Sequence, residues 1–353
     1  MTEESRHMPL LQDRRPNVGR YPQEYDFTFR SKLETRAEHT MAKVLITGIS
    51  GFIGSSIARG LLAEGASVVG VDNLSTGNLA NLDEIRRRID FHQANILDAD
   101  AMDAACQDVD YVFHQAAIPS VPKSVVDPVG TNGPNLNGTL VVLEAARKAG
   151  VKRLIYAASS AAYGDSPELP KTEAMMPAPI SPYAVQKLAG EHYLASYARV
   201  YGLETVALRY FNIFGPRQDP TSQYSGVLAR FISQMCQGAT PTIFGDGSTS
   251  RDFTYIDNVV AANLLVARTS APVAGKVFNV ATGQRITLLQ AYEEIKRITG
   301  YSGSIEFKPE REGDIKHSLA DISLAESVFG YRVVADFREG LEKTIEFYRV
   351  AVG

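Results

Sequence analysis

The chain has 353 residues, of which 44% are hydrophobic, so it is long enough to bury a large core and to form two domains or lobes. Its formal net charge of -4 argues against a general nucleic-acid-binding surface. No apolar run reaches transmembrane length, and the two cysteines have no neighbouring His or Cys cluster. We therefore expect a cytoplasmic protein that binds no nucleic acid, no membrane and no metal.

Residues 1–41 are the first of three predicted regions. They are polar, rich in Arg and Glu, and interrupted by Pro9, Pro16 and Pro22. This composition predicts an N-terminal extension rather than a domain. Met41 directly precedes the first strong strand and is a candidate alternative start.

The next segment is a strand, a glycine loop, a helix and a second strand that ends in an acid. The strands are Lys43–Thr47 and Ser67–Val71, and the acid is Asp72. The loop has the spacing Gly-x-x-Gly-x-x-Gly: Gly48, Gly51 and Gly54. Such glycines let the backbone approach a pyrophosphate at the helix N-terminus. Asp72 can bind both adenosine ribose hydroxyls and disfavours a 2′-phosphate, so this unit predicts NAD rather than NADP.

Strands and helices continue to alternate up to residue 212. Further strands are predicted at Val109–His114, Arg153–Ala158 and Glu204–Tyr210, with a helix over Leu136–Ala149. Apolar strands that alternate with helices predict an α/β, Rossmann-type, doubly wound parallel sheet over residues 42–212. Functional side chains are expected at the carboxyl ends of the strands, where Ser159 and Asn212 lie.

From residue 213 the composition changes to frequent Gly, Pro, Asp and aromatic residues. We predict that residues 213–353 form a smaller mixed α/β lobe over the strand ends. Part of residues 252–281 is expected to return to the sheet and complete it.

The segment around Tyr183 and Lys187 carries the predicted chemistry. Ser181 is a good N-cap and Pro182 fits the first helical position, so a helix is expected from there to about Tyr201. This places Tyr183 and Lys187 one turn apart on one face. A free tyrosine titrates near ~10, and a nearby ammonium is expected to lower that value. Because a four-residue spacing recurs by chance, the interpretation depends on the rest of the chain.

Together, Ser159, Tyr183 and Lys187 resemble the catalytic set of the short-chain dehydrogenase/reductase superfamily. The long C-terminal lobe resembles its extended, nucleotide-sugar-modifying branch, and the resemblance covers residues 42 to 350. Sugar-nucleotide dehydratases carry an Asp-Glu pair near this strand end, whereas Ala158–Gly164 has none. Four further segments resemble the 4-epimerases: Val121–Pro128, Arg209–Asn212, Arg251–Asp257 and Arg311–Asp314. The similarity is closest to bacterial UDP-N-acetylglucosamine 4-epimerases.

The resemblance implies a set of residues around NAD and another around the UDP-sugar. NAD would be lined by Gly48, Gly51, Phe52, Ile53, Gly54, Asp72, Asn73, Ser75, Thr76, Gly77, Asn95, Ile96, Gln115, Ala116, Ala117, Asn135, Tyr183, Lys187 and Tyr210. The UDP-sugar would be held by Ser120, Ser159, Ser160, Asn212, Val227, Phe244, Arg251, Arg311, Asp314 and Ser318. The arginines would contact the diphosphate. Asn95 is a departure, because the family usually has Asp there.

The resemblance further implies an NAD-dependent isomerase that interconverts UDP-GlcNAc and UDP-GalNAc through a 4-keto intermediate and also acts on UDP-Glc and UDP-Gal. Ser318 lies where epimerases restricted to plain hexoses carry a tyrosine, so it leaves room for an acetamido group. An epimerase restricted to plain hexoses is the alternative, and a non-catalytic NAD-binding scaffold is a remote one. A homodimer through the Tyr183 helix and the helix after Asn135 is also implied.

Overall fold

The computed structural model describes residues 42–220, 226–310 and 315–352, with side chains up to Arg349. The predicted extension 1–41 and the predicted substrate residues Arg311 and Asp314 lie outside these ranges. In the described ranges no helix is long and apolar enough to cross a membrane.

One parallel sheet organises the chain. The strands are β1 (Lys43–Thr47), β2 (Ser67–Asp72), β3 (Ile89–Gln93), β4 (Tyr111–His114), β5 (Arg153–Ser159), β6 (Glu204–Tyr210), β7 (Ile213–Phe214), β8 (Thr242–Phe244), β9 (Ser250–Arg251), β10 (Thr254–Tyr255), β11 (Lys276–Val280), β12 (Ile286–Thr287) and β13 (Glu306–Lys308). Seven of them form the sheet in the order β11-β6-β5-β4-β1-β2-β3, and every neighbouring pair is parallel. The predicted α/β doubly wound fold is confirmed.

Helices cover both faces of this sheet. They are α1 (Phe52–Ala63), α2 (Ala99–Ala105), α3 (Val121–Val126), α4 (Pro128–Asn132), α5 (Gly138–Lys148), α6 (Pro182–Tyr201), α7 (Val227–Cys236), α8 (Ile256–Arg268), α9 (Leu288–Thr299), α10 (Ser323–Phe329) and α11 (Phe337–Val352). Successive residues of a strand point to opposite faces, so Val44 and Ile46 pack into one core and Leu45 into the other.

Helix α6 has the predicted bounds. It follows Ser181, whose hydroxyl accepts a 3.2 Å hydrogen bond from the Ala184 N–H, and it ends at Gly202 in the left-handed conformation. The helix predicted over 136–149 differs at its start, where a π-helical turn at Gly133–Asn137 precedes α5. Pro134, which lacks a backbone N–H, lies in that turn and removes one regular helical hydrogen bond.

The C-terminal part adds three small two-stranded sheets, β7 with β10, β8 with β13 and β9 with β12. The first two are parallel and the third is antiparallel. Aromatic rings pack within this part around β7, which follows β6 after two residues: Phe214 packs against Phe253, Tyr255 and Phe337 at centroid distances of 5.6 to 6.5 Å.

Candidate active site

The structure brings Ser159 and Tyr183 together. Ser159 is the last residue of β5, and its Oγ accepts a 3.2 Å hydrogen bond from the Ala161 N–H. Tyr183 lies in the first turn of α6, where its backbone N–H donates to Ser124 Oγ at 3.0 Å. The side chains of Ser159 and Tyr183 are hydrogen-bonded to each other. A strand end and a helix start therefore fix both hydroxyl groups at one edge of the sheet.

The pKa of Tyr183 is shifted in the direction opposite to the one expected from the sequence. Burial raises the pKa of Tyr183 above its ordinary value, and the hydrogen bond with Ser159 only opposes this rise. Our expectation that Lys187 lowers the pKa of Tyr183 is therefore wrong for the protein alone. The reason lies in the lysine, whose Nζ is 4.6 Å from the centroid of the Tyr156 ring and is itself deeply buried.

Lys187 is 3% exposed and lies over the aromatic face of Tyr156. Burial lowers the pKa of Lys187 to about 7, and the carboxylate of Glu191, one helical turn later, opposes that shift. A lysine with this pKa changes charge near neutral pH. Such perturbed groups in a cleft are characteristic of functional sites.

The glycine loop between β1 and α1 fits a pyrophosphate. Gly48 has φ +69°, and a Cβ added to it would lie 2.7 Å from Ala116 N. A Cβ added to Gly54 would lie 2.2 Å from Gly48 O, so these two glycines are required by the fold itself. Gly51 has an ordinary backbone conformation, and its added Cβ would meet Gly48 O at 3.1 Å. Within the described chain, α1 has neither a side-chain cap nor a first-turn acid, which suits an anion at its N-terminus.

Asp72 ends β2 and is buried. Its Oδ2 accepts a hydrogen bond from Ser50 N at 2.9 Å and its Oδ1 one from Leu74 N at 2.8 Å. Burial raises the pKa of Asp72, and the two backbone hydrogen bonds oppose the rise. A Cβ added to Gly77 would lie 2.9 Å from both carboxylate oxygens, so the loop after β2 packs tightly against the acid. Three other predicted NAD residues are exposed on this loop: Asn73, Ser75 and Thr76.

The next strand end carries Asn95 and Ile96. Asn95 is exposed, and its Oδ1 accepts a 3.1 Å hydrogen bond from Leu97 N, which forms a local turn. Ile96 is buried and packs against Gly138 at the start of α5. The structure thus places both residues after β3, on the same edge as Asp72.

The predicted NAD residues after β4 are connected to neighbouring elements. Gln115 Nε2 donates to the Tyr210 hydroxyl at 3.4 Å, and Asn263 Nδ2 donates to the same hydroxyl at 2.9 Å. Ala116 and Ala117 follow Gln115 and are half-buried. The small side chains of these alanines add little bulk at the end of β4.

Asn135 is fully buried and its amide is occupied by protein partners. Its Oδ1 accepts a hydrogen bond from Ile118 N at 2.7 Å, and its Nδ2 donates to Gln186 Oε1 at 2.8 Å. These bonds tie the loop after β4 to the helix of Tyr183. The structure thus gives Asn135 a role in holding these two segments together.

Four of the ten predicted substrate residues line a cavity of about 240 Å³ beside the end of β6: Asn212, Val227, Phe244 and Arg251. Arg251 Nη1 donates to the backbone oxygens of Ser250 at 2.9 Å and Lys316 at 3.2 Å, which holds its guanidinium at the wall. The cavity walls are both aromatic and cationic, which suits a planar base and a diphosphate.

Ser318 lies next to this cavity through its contact with Asn212. Asn212 Nδ2 donates to Ser318 Oγ at 2.9 Å and to Asp252 O at 3.1 Å. Ser160 begins the 3₁₀ turn that follows β5. Ser120 is buried, and its Oγ accepts a 3.0 Å hydrogen bond from Lys123 N as the N-cap of α3.

Sequence reasoning missed three residues that the structure places at the site. Arg230 lines the cavity and lies one turn after Val227 on α7, so the helical spacing was the available signal. Glu191 follows Lys187 by four residues, about one turn along α6. Ser124 Oγ accepts a hydrogen bond from the backbone N–H of Tyr183. The two residues are far apart in the chain, so no sequence pattern indicates this contact.

Comparison with known proteins shows the family of this chain. A profile of the NAD dependent epimerase/dehydratase family matches residues 44–281. UDP-glucose 4-epimerase of Mycolicibacterium smegmatis is 39% identical over 312 residues, which cover 87% of this chain and 98% of the relative.

Two solved structures are similar over nearly the same length. The UDP-glucose 4-epimerase of Thermotoga maritima with UDP-glucose has a TM-score of 0.84 at 39% identity, and the match covers 88% of this chain and 100% of that one. The UDP-N-acetylglucosamine 4-epimerase of Methanobrevibacter ruminantium, in complex with UDP-N-acetylmuramic acid, has a TM-score of 0.83 at 39% identity and coverages of 88% and 99%. The predicted resemblance and NAD as the cofactor are confirmed, and the chain belongs to the NAD dependent epimerase/dehydratase family.

Proposed function

We propose that the chain is a 4-epimerase of UDP-N-acetylhexosamines, which interconverts UDP-GlcNAc and UDP-GalNAc and also acts on UDP-Glc and UDP-Gal. The chain is an isomerase, an NAD-dependent UDP-sugar 4-epimerase. What we propose beyond this is which UDP-sugars are its substrates and which residues bind and convert them.

Ser318 is the observation that carries the choice of sugar. Its small side chain adds little bulk beside Asn212, which lines the cavity, and its hydroxyl oxygen lies 2.9 Å from the Asn212 amide nitrogen. A small residue permits an acetamido group, whereas a large one would exclude it by steric clash. Overall similarity favours neither sugar, because structures named for UDP-glucose and for UDP-N-acetylglucosamine epimerases are equally identical to this chain.

The proposed chemistry centres on Tyr183. NAD, when bound, would supply the acceptor and later the donor of the hydride at C4 of the sugar. Tyr183 Oη accepts the proton of the sugar 4-hydroxyl and gives it back to the 4-keto oxygen. Ser159, which is hydrogen-bonded to Tyr183, orients that hydroxyl. Lys187 would bind the nicotinamide ribose of NAD.

The proposed NAD site uses the residues that fit it in this structure. The N–H groups of the first turn of α1, at Phe52 and Ile53, would bind the pyrophosphate. The Asp72 carboxylate would bind the adenosine ribose, since it can accept more hydrogen bonds than the two from Ser50 and Leu74. The other members of the predicted NAD set remain predictions, and the Asn135 amide is already bonded to Ile118 and Gln186.

The proposed diphosphate site includes Arg251, which lines the cavity together with Arg230. Two cations at one wall favour an anionic group there. Arg311 and Asp314 remain predictions, since they lie outside the described residues.

A homodimer and a cytoplasmic location remain part of the proposal. Helix α6 exposes several apolar side chains, which would be covered in a dimer: Val185, Tyr193, Val200 and Tyr201. Size-exclusion chromatography with light scattering would test the dimer, and a monomer at micromolar concentration would contradict it.

A substrate panel tests the proposed function. The purified protein is mixed separately with UDP-GlcNAc, UDP-GalNAc, UDP-Glc and UDP-Gal without added NAD, and the epimer is measured by chromatography. We expect both acetylated sugars to be converted, and the Tyr183→Phe variant prepared in parallel reports any contaminating enzyme. Conversion of the plain pair alone would favour the plain-hexose epimerase. No conversion of any sugar, with or without added NAD, would favour the NAD-binding scaffold.

A further inference from the structure

Lys187 is enclosed by titratable groups from three elements. His114 on β4 and Tyr156 on β5 face it from the sheet, and Tyr183 and Glu191 flank it on α6. Burial lowers the pKa of His114 to about 3 and raises that of Tyr156, so both are neutral near pH 7. Among the described residues, Glu191 is thus the group whose negative charge acts on Lys187.

Glu191 forms a buried ion pair with Arg209 of β6. Arg209 Nε donates to Glu191 Oε1 at 2.9 Å and Arg209 Nη2 to Oε2 at 2.7 Å, and the two residues are 3% and 4% exposed. This two-point geometry fixes the rotation of the carboxylate. A buried ion pair is weak evidence for stability, because desolvation offsets much of the attraction. The buried position of the Glu191–Arg209 ion pair therefore indicates a role other than stabilising the fold.

Arg209 is held in turn by the part of the chain that carries Ser318. Its guanidinium carbon is 4.6 Å from the centroid of the Tyr163 ring, and the Tyr163 hydroxyl donates to Asn279 Oδ1 at 2.7 Å. Asn279 Nδ2 donates to Asp321 O at 3.0 Å, three residues after Ser318. Arg209 also pairs in register with Ala158, the neighbour of Ser159. The ion pair is thus anchored on both sides of the site.

We propose that Glu191 and Arg209 form a positioning pair that keeps Lys187 charged and in place beside Tyr183. Neither residue contacts the substrate in this assignment. Tyr183, Lys187 and Glu191 lie at successive four-residue steps on α6, so the carboxylate is one turn from the ammonium. Arg209 orients the carboxylate through its two hydrogen bonds. The inference rests on the proposed role of Lys187 in the reaction.

A direct titration of Lys187 tests this pair independently of substrate. The full chain is labelled with ¹³C-lysine, and the Lys187 signal is identified by its loss in Lys187→Met. We expect Glu191→Gln to lower the titration midpoint of Lys187 by about one unit or more, because the nearby negative charge is removed. The lowered midpoint of Lys187 should also make kcat decline at a lower alkaline pH than in the wild type. KM should change less than kcat.

A matched control is the ion pair of Arg153 and Glu204, which joins β5 and β6 at their other ends with a 2.8 Å Nε–Oε2 bond. Glu204→Gln should leave the Lys187 midpoint unchanged. If Glu191→Gln alone does not fold, because it leaves Arg209 buried without its partner, the double variant Glu191→Gln/Arg209→Gln removes both charges. It should also lower the midpoint, since Glu191 is the charged group that acts on Lys187.

An unchanged Lys187 midpoint in whichever of these variants folds would overturn the proposal, as would an equal shift in Glu204→Gln. The failure of the proposed function has a different signature. In that case the wild type ignores the acetylated sugars, or Lys187→Met keeps full turnover, while the titration of Lys187 still reports on Glu191.

Discussion

The side-chain amide of Asn212 donates a 2.9 Å hydrogen bond to Ser318 Oγ, which joins the end of β6 to the segment that precedes α10. The same amide donates to Asp252 O at 3.1 Å, so it bridges two parts of the C-terminal lobe. Asn212 also lines the cavity and has φ +35°, an uncommon backbone conformation for a residue other than glycine. The side chain of residue 318 therefore lies next to Asn212, which lines the cavity proposed for the UDP-sugar.

Ser318→Tyr is expected to depress turnover of UDP-GlcNAc and UDP-GalNAc while sparing UDP-Glc and UDP-Gal. The phenol ring adds bulk beside Asn212, and steric exclusion acts on the larger substrate first. The measurement is kcat/KM for all four sugars. Ser318→Ala is the control, since it removes the hydrogen bond without adding bulk. A loss that is equal for both sugar pairs would contradict the steric explanation.

Tyr183→Phe is expected to keep the fold and bound NAD and to lose about 10²- to 10⁴-fold in kcat, the usual range for a positioned acid–base group. Only the phenol oxygen that is hydrogen-bonded to Ser159 is removed. Tyr193→Phe, at an exposed tyrosine of the same helix, is the matched control and should retain wild-type turnover. Turnover of Tyr183→Phe close to that of the wild type would mean that another group is the base.

The sequence predicted those parts of the fold whose signals are local. The bounds of α6 follow from Ser181, Pro182 and Gly202, each of which acts within one helical turn. Strand β3 was missed because its residues are mostly exposed and lack an apolar run. It is an edge strand of the sheet and pairs with β2 along one side.

The pKa of Tyr183 could not be predicted from the sequence for a different reason. The four-residue spacing to Lys187 is real, but the direction of the ammonium depends on where β5 places Tyr156. Contacts such as Tyr183 N with Ser124 Oγ join residues 59 positions apart, and such pairs carry no periodic signal. Spacing thus predicted that Tyr183 and Lys187 lie one turn apart on α6, whereas the position of the ammonium depends on a contact with β5.

Asp72→Ser is expected to weaken the preference for NAD over NADP. The substitution removes the carboxylate that would repel a 2′-phosphate, although it also removes acceptors for Ser50 N and Leu74 N. The measurement is the ratio of the Kd values of the two cofactors. Asp336→Ser is the control, because Asp336 also accepts a backbone hydrogen bond, from Glu339 N at 2.9 Å, at the start of α11. An unchanged ratio, or mainly NADP in the wild-type protein as purified, would contradict this assignment.

The buried His114 predicts an acid-dependent loss of stability. Its Nδ1 is 2.7 Å from Thr47 Oγ1 and its Nε2 is 3.0 Å from Thr139 Oγ1, and burial lowers its pKa to about 3. An unfolded histidine titrates near ~6.5, so between these values the unfolded chain binds a proton that the folded chain does not. The free energy of unfolding should therefore fall as pH decreases from 6.5, by about 1.4 kcal/mol per pH unit from this residue.

Urea unfolding at pH 7, 6 and 5, with saturating NAD, measures this slope. His114→Gln should be less stable than the wild type at pH 7, because it loses at least one of the two threonine contacts, but its stability should fall less steeply with acid. His192→Gln, at an exposed position on α6, controls for the removal of a histidine as such and should follow the wild-type slope. Parallel slopes for the wild type and His114→Gln would show that His114 does not set the acid sensitivity.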